Sequence, residues 1–267
     1  MNSEPLLNVK CFLLDMDGTF SLGDQLIDGA LYFIETLDKL GKDYLFLTNN
    51  SSKHRGQYAE KIRRLGLLIS EEKVFTSGEA TALYLQGQQP NSTVYVVGTP
   101  ALEEEFRQHG FQLEENNPQS IVLGFDTTLT YQKLWRLCDL VRGGLPYIAT
   151  HPDFNCPTET GFMPDIGAMI AFVQASTGRE PDLVVGKPNR MIIDAVAHKL
   201  GLQISEMAMV GDRLYTDIAL GTTSGITTCL VLSGETHPED LTNSPHQPTY
   251  CFENLGAIAA WLREHSS

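Results

Sequence analysis

Two aspartates one residue apart, Asp15 and Asp17, stand where a short apolar run, Cys11-Phe12-Leu13-Leu14, stops and Gly18-Thr19 begins. Carboxylates so close repel each other unless a cation or a shared proton intervenes, and a divalent metal with oxygen ligands is the natural resolution. Gly18 lets the chain turn away sharply, while Thr19 offers a hydroxyl and a backbone N–H to an anion. An ordinary strand-to-turn junction uses the same residue types.

Three later stretches repeat this pattern of an apolar run ending in polar groups. Tyr44 to Leu47 ends in Thr48-Asn49-Asn50-Ser51-Ser52, a cluster suited to an anion at a helix start or, read alone, to a simple helix cap. Leu183 to Lys187 reads as a strand with Lys187 at its end, and Pro188 suits the first turn of the helix that follows. Met207 to Val210 delivers Gly211-Asp212, with Asp217 five residues later. Each stretch has a bland reading as a solvated lysine or a turn. Taken together, a carboxylate nucleophile, an anion cradle, a lysine and a second acid pair make up the groups needed for metal-assisted phosphoryl transfer through an aspartyl-phosphate.

The elements that must position these groups alternate strand and helix. Apolar runs without polar alternation indicate strands covered on both faces, as in parallel sheets flanked by helices, where ligands bind at the carboxyl ends of strands. Helices are predicted over 30–40, 53–65, 101–109, 130–141, 166–177 and 254–263, and from Pro188 to Leu200. The pattern starts afresh near Gly78, so a second α/β domain is expected from there to Asp182. It carries the long polar loop His151 to Pro164, in which Asp153, Asn155 and Cys156 are candidates for substrate contact; a turn cap explains Asp153 equally well. The interval from Thr48 to Lys187 leaves room for the rest of a βα unit plus a domain of about a hundred residues.

Composition limits the partners. With 19 Lys+Arg against 33 Asp+Glu the net charge is −14, which argues against nucleic acid and anionic membranes and requires local positive charge for an anionic substrate. No run reaches 18 uninterrupted apolar residues, and the amino-terminal MNSEPLLNVK lacks a signal-peptide pattern. Five scattered cysteines without a C-x-x-C pair fit a reduced cytoplasmic chain.

At this point the chain resembles a known family. Asp15-Met16-Asp17-Gly18-Thr19, Thr48-Asn49-Asn50-Ser51, Gly186-Lys187-Pro188 and GDRLYTD from Gly211 to Asp217 resemble, in order, the four motifs of the haloacid dehalogenase-like (HAD) hydrolases. The wording LLDMDGT, FLTNNSS, VVGKP and MVGDRLYTDI is similar to the NagD-like, or type IIA, subfamily over nearly the whole chain. The resemblance implies an α/β fold: a doubly wound parallel-sheet core, residues 1–77 and 183–267, with a smaller α/β cap, 78–182, inserted after the second motif.

It further implies a Mg²⁺-dependent phosphatase acting on small phosphomonoesters such as a sugar phosphate or nucleotide. Asp15 would attack phosphorus, and Asp17 would protonate the leaving alkoxide and then activate water. Thr48, Asn49 and Asn50 would hold the phosphate, and Lys187 would neutralise developing charge. Mg²⁺ would sit on the Asp15 carboxylate, the Asp17 backbone carbonyl and Asp212, with Asp217 orienting metal-bound water or Lys187. The cap would select the substrate, and relatives of this kind often dimerise through it. A catalytically silent phosphate-binding protein and a dehalogenase are the alternatives. The first would be expected to lack a core acid or Lys187, and the second has no use for Asp17, because a halide leaving group needs no proton.

Overall fold

The computed structural model describes residues 5–158 and 161–266. The reading of the amino terminus rests partly on residues 1–4, and the loop assigned to substrate includes 159 and 160; these positions lie outside the described residues.

In chain order, β1 (Cys11–Leu14) leads through a small antiparallel hairpin, β2 (Ser21–Leu22) and β3 (Gln25–Leu26), into α1 (Ala30–Lys39), β4 (Asp43–Thr48), α2 (Arg55–Arg64) and β5 (Val74–Thr76). Next come α3 (Ser77–Gln88), β6 (Thr93–Val97), α4 (Pro100–Gln108), β7 (Gln112–Leu113), β8 (Ser120–Leu123), α5 (Tyr131–Arg142) and β9 (Tyr147–Ala149). A hairpin of β10 (Asn155–Thr158) and β11 (Gly161–Pro164) precedes α6 (Ile166–Thr177) and β12 (Leu183–Val184). The chain closes with α7 (Arg190–Leu200), β13 (Met207–Gly211), α8 (Ala219–Ser224), β14 (Thr227–Val231), β15 (Tyr250–Phe252) and α9 (Leu255–His265).

The chain divides into two compact units: Met1–Thr48, Tyr58–Phe75 and Lys187–Ser267 form the first, Asn49–Gln57 and Thr76–Gly186 the second. The first holds a sheet in the order β15-β14-β13-β1-β4-β5. Strand β1 pairs parallel with both β4 and β13, and β13, β14 and β15 continue in parallel. From β1 the chain winds outward through β4 to β5, then returns to the other side of β1 at β13. The switch point therefore falls between β1 and β13, the position where open α/β sheets bind ligands.

Both faces of this sheet are covered, which explains the unbroken apolar runs. Phe12, Leu14, Phe46 and Val210 pack with Phe33 and Leu37 of α1 and Leu255, Ile258 and Leu262 of α9. Each such side chain withdrawn from water contributes about 1.5–3 kcal/mol before entropy is counted.

The second unit has its own sheet, ordered β12-β9-β8-β6-β7, with all pairs parallel. Tyr95, Ile121, Leu123 and Tyr147 from its strands pack with Leu137 and Val141 of α5 and Met169 and Val173 of α6.

Four local expectations change. Strand β12 ends at Val184 and belongs to the second unit's sheet, because Val185 and Gly186 run on beside β9 through N–H donors to Ala149 and Thr150 carbonyls. Lys187 is therefore presented by a loop, and Pro188, joined to it by a cis peptide bond, precedes α7 and its N-cap Asn189 rather than starting the helix. The polar stretch 151–164 contains the β10–β11 hairpin, and Thr48 to Ser52 does not cap a helix, since α2 begins only at Arg55.

Among the described residues no helix is long and apolar enough to cross a membrane, and there is no disulfide.

Candidate active site

The carboxyl ends of three adjacent strands converge in the first unit. Asp15 leaves β1 with its N–H bonded to the Val210 carbonyl (2.9 Å), so it stays in line with β13. Asp212 follows the last residue of β13, and Thr48 is the buried last residue of β4. Asp217 lies in the wide helical turn Leu214–Ile218 that comes next. Asp15, Asp212 and Asp217 each place a carboxylate oxygen within 4.8 Å of the others.

Lys187 enters this cluster almost completely buried. Its Nζ donates to Asp15 Oδ1 (2.5 Å), Asp217 Oδ1 (2.6 Å) and the Leu47 carbonyl (3.3 Å). Burial works against its charge, but the two aspartates outweigh that and raise its pKa above the ordinary lysine value. Asp212 is pushed up to about 7 by burial and by the negative charges of Asp15 and Asp217. Burial also pushes Asp217 up, to about 6, against the opposing pull of Lys187. Three carboxylates and one ammonium leave this buried cluster with excess negative charge.

Backbone turns fix the two ends of the motif. Gly18 has φ 88°, a left-handed conformation that side chains disfavour, and a Cβ there would collide with the Asp212 carboxylate. Its N–H bonds the Ser21 carbonyl (2.8 Å), closing the turn after Asp17. The Asp17 side chain is half exposed and accepts from Lys61 Nζ of α2 (3.1 Å) rather than joining the three acids.

The remaining predicted residues lie in the second unit. Asn49 Nδ2 donates to both oxygens of Asp153 (3.3 and 3.1 Å), and Asn50 Nδ2 lies 3.8 Å from Cys156 Sγ. Asn50 Oδ1 accepts the N–H and hydroxyl of Ser52 (2.9 and 2.7 Å), which makes a local turn. Ser51 Oγ pairs with Thr150 Oγ1 and accepts the Phe125 N–H, both at 2.9 Å, at the carboxyl end of β8. These bonds explain why Asn49–Gln57 groups with the second unit although it directly follows β4. Asn155 is exposed at the start of β10, opposite Pro164.

Comparison with known proteins matches the family model described as haloacid dehalogenase-like hydrolase over residues 12–112, and a second, HAD-hydrolase-like model over 184–258. The chain is 38% identical to an acid sugar phosphatase of Staphylococcus epidermidis over 256 residues, covering 96% of this chain and 98% of that one. The solved structure of a 4-nitrophenylphosphatase from Thermotoga maritima superposes with a TM-score of 0.95 at 46% identity, covering 97% of this chain and all of that one. This chain belongs to the haloacid dehalogenase-like hydrolases. Within them it falls in the NagD-like subfamily, and it is a phosphoric monoester hydrolase with the core and cap architecture of that group. A glycerol phosphate phosphatase of Mycobacterium tuberculosis, solved in complex with magnesium, is 30% identical with a TM-score of 0.88, over 96% of this chain and 78% of that one.

Several residues around the aspartates of this HAD hydrolase escaped the sequence reading. Arg213 and Glu235 form an ion pair (3.0 Å), the Glu235 N–H bonds Asp212 Oδ2 (2.7 Å), and the Ser233 hydroxyl bonds the Gly18 carbonyl (2.8 Å). Arg213 was visible inside GDRLYTD. Nothing in the spacing marks 233–235, which reach Asp212 only because β14 lies beside β13.

Proposed function

We propose that this phosphatase hydrolyses small phosphomonoesters through a covalent aspartyl-phosphate on Asp15, with Mg²⁺ as its cofactor. The observation that carries the reading is Lys187 bridging Asp15 and Asp217, with Asp212 in the same cluster. An ammonium held there lies against Asp15 and would neutralise charge developing on the phosphoryl group.

The donor set fits Mg²⁺, a hard cation that takes oxygen ligands. Lys187 occupies Oδ1 of Asp15, and Asp212 Oδ1 has only a long contact with the Thr19 hydroxyl (3.5 Å), so each acid has an oxygen to give. Asp15 and Asp212 would hold the ion with the Asp17 backbone carbonyl, while Asp217 orients Lys187. When bound, Mg²⁺ offsets the negative charge of the acids and of the phosphate dianion.

In the first half-reaction an Asp15 carboxylate oxygen attacks phosphorus, the bond from phosphorus to the ester oxygen breaks, and Asp17 gives the departing alkoxide its proton. In the second, Asp17 takes a proton from water, the water oxygen attacks phosphorus, and the bond to Asp15 breaks to release inorganic phosphate. Thr48 and Asn49 hold phosphoryl oxygens.

Residues 78–182 act as the cap that selects the leaving group, through the stretch containing Asp153, Asn155 and Cys156. The relatives named for sugar phosphates, nitrophenyl phosphate and glycerol phosphate support a small phosphorylated metabolite as substrate. We also place the protein in the cytoplasm and expect a homodimer through the cap. A phosphomonoester panel with Mg²⁺, run on the wild type and Asp15→Asn, tests the reading. Phosphate release by the wild type and none by the correctly folded variant is expected; turnover by Asp15→Asn near the wild-type rate refutes it.

A further inference from the structure

We propose that Glu235, held by Arg213 and Tyr215, is a positioning residue that fixes Asp212 and thereby sets how tightly the aspartate cluster holds its divalent cation. This inference rests on the Mg²⁺ reading above and extends it to Glu235, which lies outside the four motifs.

Asp212 is anchored through one oxygen. Its Oδ2 accepts the Glu235 N–H at 2.7 Å, and Gly234 packs so closely that a Cβ there would collide with the same oxygen. Oδ1, with only the long Thr19 contact, is left to ligate. The anchor works only if the stretch 233–235 stays in place, and three side chains hold it. Ser233 Oγ donates to the Gly18 carbonyl (2.8 Å), tying the stretch to the turn after Asp17. Glu235 Oε2 lies 3.0 Å from Arg213 Nε as a charge contact without hydrogen-bond geometry, and the Tyr215 hydroxyl donates to both Glu235 oxygens (3.0 and 3.2 Å). Arg213 and Tyr215 are the first and third residues after Asp212, so the chain closes a ring on itself: Asp212, Arg213, Glu235 and back to Asp212.

Charge gives the ring a second effect. The Arg213 side chain is only 16% exposed, and its guanidinium carries a permanent positive charge. Glu235 supplies this guanidinium with a carboxylate of its own. Without Glu235, those three aspartates are the anions toward which Arg213 is drawn, and a guanidinium among them competes with the cation. Loss of Glu235 thus both loosens Asp212 and directs a competing charge at the cluster. Groups that orient metal ligands are typically worth about 10–100-fold in metal affinity.

The test is calorimetric titration of MgCl₂ into the full chain without substrate, for the wild type, Glu235→Ala, Tyr215→Phe and Glu235→Gln, with unfolding midpoints measured in EDTA. Glu235→Ala should raise the Mg²⁺ Kd by about 10–100-fold and Tyr215→Phe by less. Glu235→Gln, which keeps the acceptor for Tyr215 but not the charge for Arg213, should lie between wild type and Glu235→Ala. The metal-free midpoints should stay together. An unchanged Kd in Glu235→Ala overturns the proposal. So does a weakened Kd that tracks a matching loss of metal-free stability, since that marks a merely structural role. Absence of any Mg²⁺ binding by the wild type overturns the metal reading itself, and this inference with it.

Discussion

Removing the metal should leave a protein that becomes less stable as pH rises through neutrality, and the aspartate cluster sets the size of the effect. Asp212 is pushed from 3.8 to about 7, chiefly by burial and then by Asp15 and Asp217, and burial pushes Asp217 up to about 6. A carboxyl whose pKa is higher folded than unfolded binds its proton more tightly in the native state. Its contribution is fully present below the unfolded pKa and is lost as pH rises through the folded one. One extra proton bound by the native state gives a slope of about 1.4 kcal/mol per pH unit, so Asp212 alone removes about 2–3 kcal/mol between pH 5 and 7. At about 2–4 °C per kcal/mol for a chain of this size, the midpoint in EDTA should drop by about 5–10 °C over that range.

Other carboxylates also titrate in a chain of net charge −14, so the control is Asp212→Asn. Its amide cannot ionise, so its metal-free midpoint should fall less steeply with pH than that of the wild type, with Asp217 and the remaining carboxylates still titrating. Scanning calorimetry of both proteins in EDTA at pH 5, 6, 7 and 8, then with excess Mg²⁺, provides the measurement. Mg²⁺ should flatten the wild-type curve and do little for the variant. Parallel wild-type and Asp212→Asn curves in EDTA would refute the assignment of the slope to this cluster.

Two further outcomes are expected. Asp17→Asn keeps the nucleophile but loses the proton donor and base; with nitrophenyl phosphate, whose leaving group hardly needs protonation, rapid-quench kinetics should show a burst followed by turnover slowed by about 10²–10⁴-fold. Equal loss in both half-reactions would count against that role. Asp153 belongs to the stretch proposed to select the leaving group, so Asp153→Ala should change the ranking of esters in kcat/KM and leave acetyl phosphate, which offers the cap little to hold, nearly untouched. One common factor lost on every ester would instead assign Asp153 to holding Asn49, whose amide it engages through both oxygens.

What was legible in the sequence follows from local rules. Burial on both faces, Phe12, Leu14, Phe46 and Val210 on one and Leu13, Leu45 and Met209 on the other, forces unbroken apolar runs, and the residues at the ends of those runs are the ones a parallel sheet brings together, so Asp15, Thr48 and Asp212 could be read from the spacing. Lys187 was found by its motif but assigned the wrong support. A short apolar stretch cannot declare which sheet it joins, and Leu183–Val184 pairs with β9 instead of joining the sheet that carries Asp15.

The tertiary structure alone decided the partners of these groups. The Asp17 carboxyl meets Lys61 from a helix whose pattern shows only a polar face, and Asn49 meets Asp153 across about a hundred residues of chain. Asp212 takes its bond from Glu235 because β14 runs parallel beside β13. Periodicity and motif spacing encode what each residue does to its own strand or helix. The field that raises Asp212 and Asp217, and the ring through Arg213 and Glu235, depend on distances between segments remote in sequence, which exist only once the sheet has closed around its switch point.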